Sequence, residues 1–509
     1  MNTKSIPAVF IPAVSIQAAS IQGASVQVRR TPPVLKPDQT RVLLRPFVPG
    51  DLERSRGIIG RIMQIPEYRV GPLLEEVEEE FSRRHQQIQQ VFLERFAQVR
   101  GLLPPGAEPS EQRQLLIGSY FVNEYSLESA ALFNPSIVPD PDQSGLPDGA
   151  LRFILSLRAT GEGHVSSITF RSGILYADLR IEVLPPCGFL TEPRQIKAPL
   201  YEKPLFERKL TELGLTCAFT RQVMERLEES FAWEELAISI DTELKQSRLT
   251  MGLVQEHLLA AQGIRMLARS NYEVWFQPDQ KLSERIIFPA TPSQRNGIED
   301  ARFTCFQNGE GTHCYYATYT AYDGQVVLPE LVETNDFLHF RFITLNGPAA
   351  ENKGMAIFPR KINGRFAMLS RQDNESIYLM FSDNVHFWNE HTLLLSPAYP
   401  WELVQIGNCG SPIETDAGWL VLSHGVGPVR KYCIGAFLLD HEDPTKVIGR
   451  LREPLLKPDQ EEREGYVPNV VYTCGALLHN GQLIIPYGMA DYATRFATVP
   501  LREVLAAMT

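Results

Sequence analysis

The chain has 509 residues, of which 44% are hydrophobic and 21% charged, as in a globular protein larger than one small domain. Its net charge of −11 argues against binding to nucleic acid or to an anionic membrane, because both need a basic face. The seven cysteines form no CxxC pair, which argues against a disulfide framework or a structural zinc site and favours a reducing, cytoplasmic location.

Residues 1–40 are predicted to form a flexible N-terminal tail. The stretch Met1–Val28 is rich in Ala, Ser, Ile and Gln, and prolines at positions 7 and 12 interrupt it. No apolar run there is long enough for a signal sequence or a membrane span.

An N-terminal extension, residues 41–120, is predicted to contain one long helix. Apolar residues recur at spacings of three, four or seven from Leu74 to Val99. This spacing places one apolar stripe on a helix of about 30 residues from Gly71 to Arg100.

A second helical segment is predicted from about Pro204 to Ser270, within an insertion at residues 201–270. Apolar residues such as Leu236, Ile240 and Leu244 again trace one helical face. Both helical segments are expected to pack on a core or on a partner subunit, and they favour a homo-oligomer formed through helices.

The remaining sequence has the pattern of short antiparallel strands. From Arg285 to the C-terminus, and from Ala131 to Pro185, short apolar runs alternate with turns. The dipeptides at 308–309, 323–324, 363–364 and 480–481 are Asn-Gly or Asp-Gly, which favour tight β-hairpins. The pattern predicts an all-β fold and leaves sandwich, barrel and propeller open.

Four strings carry polar residues at strand ends or in glycine-rich loops, where binding groups concentrate on a rigid scaffold. They begin at Asn134, Gly297, Lys353 and Gly407. A carboxylate at Asp300, several cations and aromatic rings are the groups that a sugar-cleaving site needs. Taken alone, Asp300-Ala301-Arg302 is more typical of a turn carboxylate paired with its own arginine.

The strings occur together and in order, and in this arrangement the sequence resembles glycoside hydrolase family 130, the mannoside phosphorylases and β-mannosidases. The resemblance is carried by Gly-Ile-Glu-Asp-x-Arg at 297–302, Phe-Pro-x-Lys-Ile-Asn-Gly at 358–364, Pro-Ile-Glu-Thr at 412–415 and Tyr-Gly-Met-Ala-Asp at 487–491. It implies a five-bladed β-propeller, its first part at residues 121–200 and the remainder at 271–509. The N-terminal extension and the helical insertion lie outside this common core.

The resemblance implies a role for each matching residue. Asp300 matches the catalytic acid of an inverting cleavage of β-mannosidic bonds in manno-oligosaccharides, and Arg158, Lys353 and Arg371 match the cations that hold phosphate in phosphorylases. The residues expected to contact the substrate are Asn134, Arg302, His424, Tyr487 and Asp491. No metal or organic cofactor is implied, although inorganic phosphate is the co-substrate of the phosphorylases.

One departure from the family pattern favours hydrolysis. Gln405 stands where many phosphorylases have a lysine, so one charge-assisted contact of about 1.5–3 kcal/mol is missing. Hydrolytic members use carboxylates to activate water, and Glu414 and Glu462 are the candidates. We therefore expect a hydrolase, with a β-mannoside phosphorylase releasing mannose 1-phosphate as the alternative. A non-catalytic glycan-binding propeller is a second alternative.

Overall fold

The computed structural model describes residues 26–197, 200–247, 254–309, 311–322, 324 and 327–509. Most of the predicted tail, and Asp323 of one predicted turn, lie outside the described residues. The described N-terminal part contains β1 (Arg29–Leu35), β2 (Val42–Pro46), α1 (Leu52–Met63), α2 (Glu67–Phe81), α3 (Ile88–Val99), α4 (Glu111–Ser119) and β3 (Val122–Ser126).

The middle of the chain combines strands with the second helical segment. It contains β4 (Ala131–Pro139), β5 (Leu151–Thr160), β6 (Ser166–Leu175), β7 (Ile181–Val183), β8 (Arg194–Lys197), β9 (Tyr201–Glu202), α5 (Lys203–Glu212), α6 (Ala218–Glu225), β10 (Ser230–Phe231), α7 (Trp233–Ser247) and α8 (Val254–Ser270).

The C-terminal part is almost entirely strand. It contains β11 (Tyr272–Trp275), β12 (Ile286–Ile287), β13 (Gly297–Gln307), β14 (His313–Tyr322), β15 (Val327–Thr334), β16 (His339–Thr344), β17 (Ala356–Ile357), β18 (Phe366–Ser370), β19 (Ile377–Ser382), β20 (Thr392–Leu395), β21 (Gln405–Asn408), β22 (Ile413–Thr415), β23 (Gly418–Val426), β24 (Tyr432–Leu439), β25 (Val447–Arg450), β26 (Val471–Tyr472), β27 (Leu477–His479), β28 (Gln482–Met489), β29 (Ala493–Pro500) and α9 (Leu501–Ala506). The prediction of a mainly β structure is confirmed.

Within the described residues, five antiparallel runs of four strands succeed one another, and we number them as sheets one to five. They are β4-β5-β6-β7, β13-β14-β15-β16, β17-β18-β19-β20, β21-β23-β24-β25 and β26-β28-β29-β1. A single parallel pair, Gly297 with Ser166, joins sheets one and two, and β11 and β8 extend sheet two.

Between the sheets, the hydrophobic core consists of clusters that each join two sheets. Each sheet shares apolar contacts with the next, and sheet five shares them with sheet one. Representative pairs, in order from sheet one, are Phe170 with Phe303, Phe306 with Met368, Leu369 with Trp419, Leu422 with Ile485, and Ile484 with Leu155. The ten side chains are buried, so burial of apolar surface holds each sheet against two neighbours.

The two helical segments have cores of their own. Helices α1–α4 bury a cluster that includes Ile59, Phe96 and Leu116, and α5–α8 bury one that includes Phe219 and Ile240. In the described part of the chain, no helix has the length and apolarity needed to cross a membrane.

The predicted long helix from Gly71 to Arg100 is wrong. Helices α2 and α3 replace it, and between them the chain turns at a polar stretch that ends at Gln87, whose φ is 51°. Ile88 lies seven positions after Phe81, which equals about two helical turns, so the apolar spacing continues across the break and does not reveal it.

The predicted tail of residues 1–40 also needs correction. Strand β1 pairs antiparallel with β29, from Arg29 opposite Thr498 to Leu35 opposite Thr494, and so completes sheet five. Two of the four predicted hairpin dipeptides, Asn363-Gly364 and Asn480-Gly481, have positive φ at both residues, as type I′ turns require.

Candidate active site

Two β-bulges place the central pair of the site, Asn134 and Asp300. The register of β4 shifts between Phe133 and Ser136, and that of β13 shifts between Glu299 and Arg302. Asn134 has a φ of 49° and Asp300 a φ of 55°, an unfavourable conformation for residues other than glycine. The two bulges bring the side chains together, and Asn134 Nδ2 donates to Asp300 Oδ1 at 2.7 Å.

Two arginines surround the carboxylate of Asp300. Arg158 donates through Nη1 to Asp300 Oδ1 at 3.4 Å and through Nη2 to Glu299 at 2.8 Å. Arg302 donates to the backbone oxygen of Asp300 at 2.9 Å and to the hydroxyl of Tyr472 at 2.7 Å. Burial alone would raise the pKa of Asp300, but the charges of Arg158 and Arg302 and the hydrogen bond from Asn134 outweigh it and lower that pKa.

A second basic group is built around Arg371, which follows β18. Arg371 Nη1 lies 2.9 Å from His424 Nε2, and Nη2 donates to Asn374 at 2.7 Å. Burial and the charges of Arg371 and Arg302 hold the pKa of His424 well below its usual value. His424 is therefore neutral and accepts the hydrogen bond from Arg371.

Glycine at position 407 leaves room for the side chains of Arg371 and His424 to approach each other. A Cβ atom at this position would lie 2.4 Å from His424 Cε1 and 2.7 Å from Arg371 Cδ. One residue along β21, the buried Asn408 donates to the backbone oxygen of Gly354 at 2.7 Å. This bond fixes the loop that carries the exposed Lys353.

The central residues of these groups line one cavity of about 260 Å³, to which the strands of four sheets and the loops that flank sheet three contribute. Its charged lining comprises five basic residues (Arg158, Arg302, Lys353, Arg371 and Arg430) and three acidic ones (Glu299, Asp300 and Asp491). The remaining lining residues are Asn134, Gly354, Gln405, His424, Tyr432, Val470 and Tyr472. Cations thus exceed carboxylates in the cavity of a chain whose net charge is −11.

Asp491 is the third carboxylate of the cavity, in the turn between β28 and β29. Like Asn134 and Asp300, it has a positive φ, of 49°. Burial raises the pKa of Asp491 to about 6, with a further contribution from the charge of Asp300, and Arg158 opposes the rise.

Several buried polar atoms in and beside this cavity have no protein partner in the described structure. They are Asn134 Oδ1, Arg371 Nε, Asn408 Oδ1 and His424 Nδ1. An unpaired buried polar group costs roughly 1–3 kcal/mol, so such a concentration is typical of a site that a polar ligand completes.

The structure brings together eight of the eleven residues that the sequence nominated. Glu414 is one of the three that do not line the cavity. It is ion-paired with Arg360 at 2.6 Å and lies 2.8 Å from His441 Nε2. A half-exposed carboxylate already paired with an arginine outside the cavity is badly placed to activate a water molecule beside Asp300.

Glu462 and Tyr487 are also absent from the cavity lining. Both side chains are buried and hydrogen-bonded to each other, and Arg30 of β1 donates to Glu462 at 2.9 Å. The expectation that Glu414 or Glu462 faces Asp300 across the cavity is therefore wrong, whereas the substrate contact of Tyr487 stays a prediction. These three residues brace neighbouring segments.

Four further lining residues were not predicted from the sequence, namely Glu299, Tyr432, Tyr472 and Arg430. Glu299 adjoins Asp300 within a quoted string, so its position could have indicated a role. Tyr472 and Arg430 lie in segments with no local pattern, and only the folded chain shows them. Among the described residues, no group of three His, Cys, Asp or Glu side chains could hold a metal ion.

Comparison with known proteins identifies the class of enzyme. The family model described as β-1,4-mannooligosaccharide phosphorylase matches residues 240–509. A 1,2-β-oligomannan phosphorylase of Thermoanaerobacter sp. is 33% identical over 232 residues, covering 44% of this chain and 75% of the relative. A β-1,2-mannobiose phosphorylase of Listeria innocua is 34% identical over 247 residues, covering 47% of this chain and 67% of the relative.

A solved structure of the β-1,2-mannobiose phosphorylase from Listeria innocua, in complex with β-1,2-mannobiose, aligns with a TM-score of 0.45 and 23% identity. The alignment covers 74% of this chain and 92% of that one. From the family match and the relatives, the chain is an enzyme of the glycoside phosphorylase and hydrolase class. It belongs to glycoside hydrolase family 130.

Proposed function

We propose that the protein is an inverting β-mannoside phosphorylase that releases mannose 1-phosphate from manno-oligosaccharides. The observation that carries the proposal is the cavity lining: basic groups outnumber carboxylates, and neither carboxylate nominated to activate water is present. The named relatives above are phosphorylases as well. These relatives favour the phosphorylase alternative over the hydrolase that the sequence suggested.

Arg371 and Lys353 are the proposed phosphate ligands. Arg371 offers a buried Nε without a protein partner, and Lys353 is exposed at the cavity. Arg158 is less available, because Glu299 and Asp300 already accept its hydrogen bonds. A phosphate oxyanion that leaves water needs charge-assisted hydrogen bonds of this kind.

Asp300 is the proposed proton donor, either directly or by relay through a sugar hydroxyl as the family resemblance implies. Before phosphate binds, the lowered pKa of Asp300 keeps its carboxyl group ionised at neutral pH. A phosphate bound to the nearby cations brings negative charge, which raises the pKa of Asp300. The acid would therefore form when the co-substrate binds.

The proposed reaction begins when dihydrogen phosphate binds and passes one proton to Asp300. The bond between the anomeric carbon and the leaving oxygen then breaks, and that oxygen receives the proton of Asp300. A phosphate oxygen bonds to the anomeric carbon from the opposite face, which inverts its configuration. Asp300 ends the reaction ionised, as it began, and the product leaves as the monoanion of mannose 1-phosphate.

We also propose that the five sheets form the blades of a five-bladed propeller around this cavity. Two observations support it. Apolar clusters join each sheet to the next and sheet five to sheet one, and all five sheets or their adjoining loops contribute lining residues. Strand β1 would close the ring by completing the last blade with the first strand of the chain.

One observation favours hydrolysis as a second candidate. Gln405 lies in the cavity lining, so a neutral amide occupies the position where many phosphorylases have a lysine. Under this alternative, water attacks the anomeric carbon in place of phosphate.

The deciding experiment is an incubation of purified protein with β-1,2-mannobiose and with β-1,4-mannobiose, each with and without phosphate. We expect mannose 1-phosphate by phosphorus NMR only when phosphate is present, with the α configuration at the anomeric carbon. Release of free mannose at the same rate in phosphate-free buffer would establish hydrolysis instead.

A further inference from the structure

A second cavity lies outside the catalytic site, between the N-terminal extension and the sheets. Strand β2 and helix α3 form one wall, and the segments Leu190–Arg194 and Trp275–Gln280 form the other. Its volume is about 730 Å³, larger than that of the catalytic cavity. We call it the glutamine groove, because its lining includes Gln86, Gln87, Gln90, Gln98, Gln277 and Gln280.

Three of the six amide side chains of this groove are available, whereas Gln90, Gln98 and Gln280 are hydrogen-bonded within the protein. Gln86, Gln87 and Gln277 are exposed, and in the described structure their side chains make no hydrogen bond. Gln87 also precedes α3 with a φ of 51° and does not cap the helix through its side chain. The backbone oxygen of Gln87 accepts a hydrogen bond from Val91 at 3.2 Å, and its side chain remains free to contact a ligand.

Few charges of the groove are available to a ligand. Arg45 is ion-paired with Glu192, and Arg95 is buried with its guanidinium bonded to backbone oxygens. Among the described lining residues, Arg194 and Glu94 are exposed without an ion pair, and their charges are opposite in sign. Because neither sign is in excess among these unpaired charges, the groove suits a neutral polar ligand.

An indole completes the lining. Trp275 is 37% exposed, and its ring lies 5.2 Å from that of His339 on the neighbouring strand. An exposed indole presents a flat apolar face beside amides that both donate and accept hydrogen bonds. A pyranose ring has the complementary groups, namely apolar C–H faces and hydroxyl groups around its edge.

We propose that the glutamine groove binds a neutral oligosaccharide, in particular a segment of a manno-oligosaccharide, away from the catalytic cavity. The choice of mannose as the sugar rests on the proposed function, whereas the preference for a neutral saccharide rests on the groove alone. Most of the lining lies before residue 240, where the family match begins, so this site is a feature of the extension in this chain.

The test is calorimetric titration with β-1,2-mannotetraose and with β-1,4-mannohexaose in phosphate-free buffer, in an Asp300→Asn background that prevents turnover. The variants Trp275→Ala and Gln87→Ala are compared with Tyr68→Ala and Gln89→Ala. Tyr68 is 80% exposed and Gln89 lies on α3 beside Gln87, and neither lines the groove. We expect one saccharide site to weaken at least tenfold in the first two variants and to persist in both controls.

Activity on mannobiose in the native background, together with melting temperature, shows whether the groove variants fold normally. Binding that depends on Trp275 and Gln87 supports the groove even if the enzyme forms no mannose 1-phosphate, so the two proposals fail separately. The groove proposal is overturned if every saccharide site is insensitive to both substitutions. It is equally overturned if Trp275→Ala changes only the oligomeric state by sedimentation, because the groove would then bind a second copy of the chain.

Discussion

Two buried charged clusters of this molecule differ in how completely their polar atoms are paired. In the first, Glu128 is fully buried and accepts hydrogen bonds from Arg41 at 2.8 Å and from Arg171 at 2.7 Å. The remaining donors of Arg41 reach the backbone oxygens of Cys187 and Ser283, each at 2.7 Å. This cluster needs nothing from outside the protein.

The catalytic cavity is the opposite case. Asn134 and Asp300 have positive φ angles, and buried polar atoms of Arg371 and His424 have no partner among the residues that the structure describes. Strain and unpaired groups persist in a fold only where the surroundings impose them, and they concentrate at sites that act on a ligand. The first cluster therefore stabilises the fold, whereas the second is suited to binding a ligand.

The largest expected effect tests the stabilising cluster. Glu128→Ala leaves two buried guanidinium groups without their carboxylate, which we expect to lower the free energy of unfolding by about 3–5 kcal/mol. The control is Glu182→Ala, which breaks the solvent-exposed pair with Arg180 and should change the free energy of unfolding far less, because water screens that pair. Denaturant unfolding measures both, and equal stability of the two variants would contradict the assignment.

Asp300→Asn tests the binding cluster, with the next largest effect. We expect turnover to fall at least about a hundredfold, the usual scale for loss of a general acid, while the melting temperature changes little. Glu414→Gln is the matched control, because Glu414 pairs with Arg360 outside the cavity and should retain turnover. Near-normal turnover of the Asp300→Asn variant on mannobiose would remove Asp300 from the mechanism.

Arg371→Ala also tests the binding cluster, because it removes a guanidinium whose Nε has no partner among the described residues. We expect KM for phosphate to rise by at least about tenfold, since one charge-assisted hydrogen bond contributes about 1.5–3 kcal/mol. Arg360→Ala removes a cation of the same type outside the cavity and should leave KM unchanged. Initial rates at varied phosphate and saturating mannobiose distinguish the two, and similar KM values in both variants would exclude Arg371 as a phosphate ligand.

The fold was predictable wherever local pattern determines structure. Alternating apolar runs and Asn-Gly turns correctly indicated a mainly β chain, because a hairpin is specified by a few adjacent residues. Strand β1 escaped prediction because its partner β29 lies more than 450 residues away in sequence. The break between α2 and α3 also escaped prediction, because the apolar residues keep the same helical spacing on both sides of it.

The site was predictable to the extent that its residues lie in recognisable strings. Asp300, Arg158 and Arg371 were nominated from such strings, and the structure places them in one cavity. Glu414 and Glu462 failed for a tertiary reason. Whether a carboxylate is free to activate water depends on its partners, and Arg360 and Arg30 reach these two from distant segments.

The smallest expected effect comes from adding a cation to the binding cluster. Gln405→Lys places an ammonium in the cavity lining, at the position where many phosphorylases of the family have one. If phosphate binds there, the new charge should lower KM for phosphate about two- to fivefold, the scale of a partly exposed charge pair of about 0.5–1 kcal/mol. The gain stays small because Arg371 and the other cations of the cavity repel the added charge.

Gln405→Met is the matched control, since it keeps the length of the side chain and adds no charge, and it should leave KM unchanged. An unchanged KM in Gln405→Lys would place the phosphate away from this wall of the cavity, and faster release of free mannose without phosphate would favour water as the nucleophile.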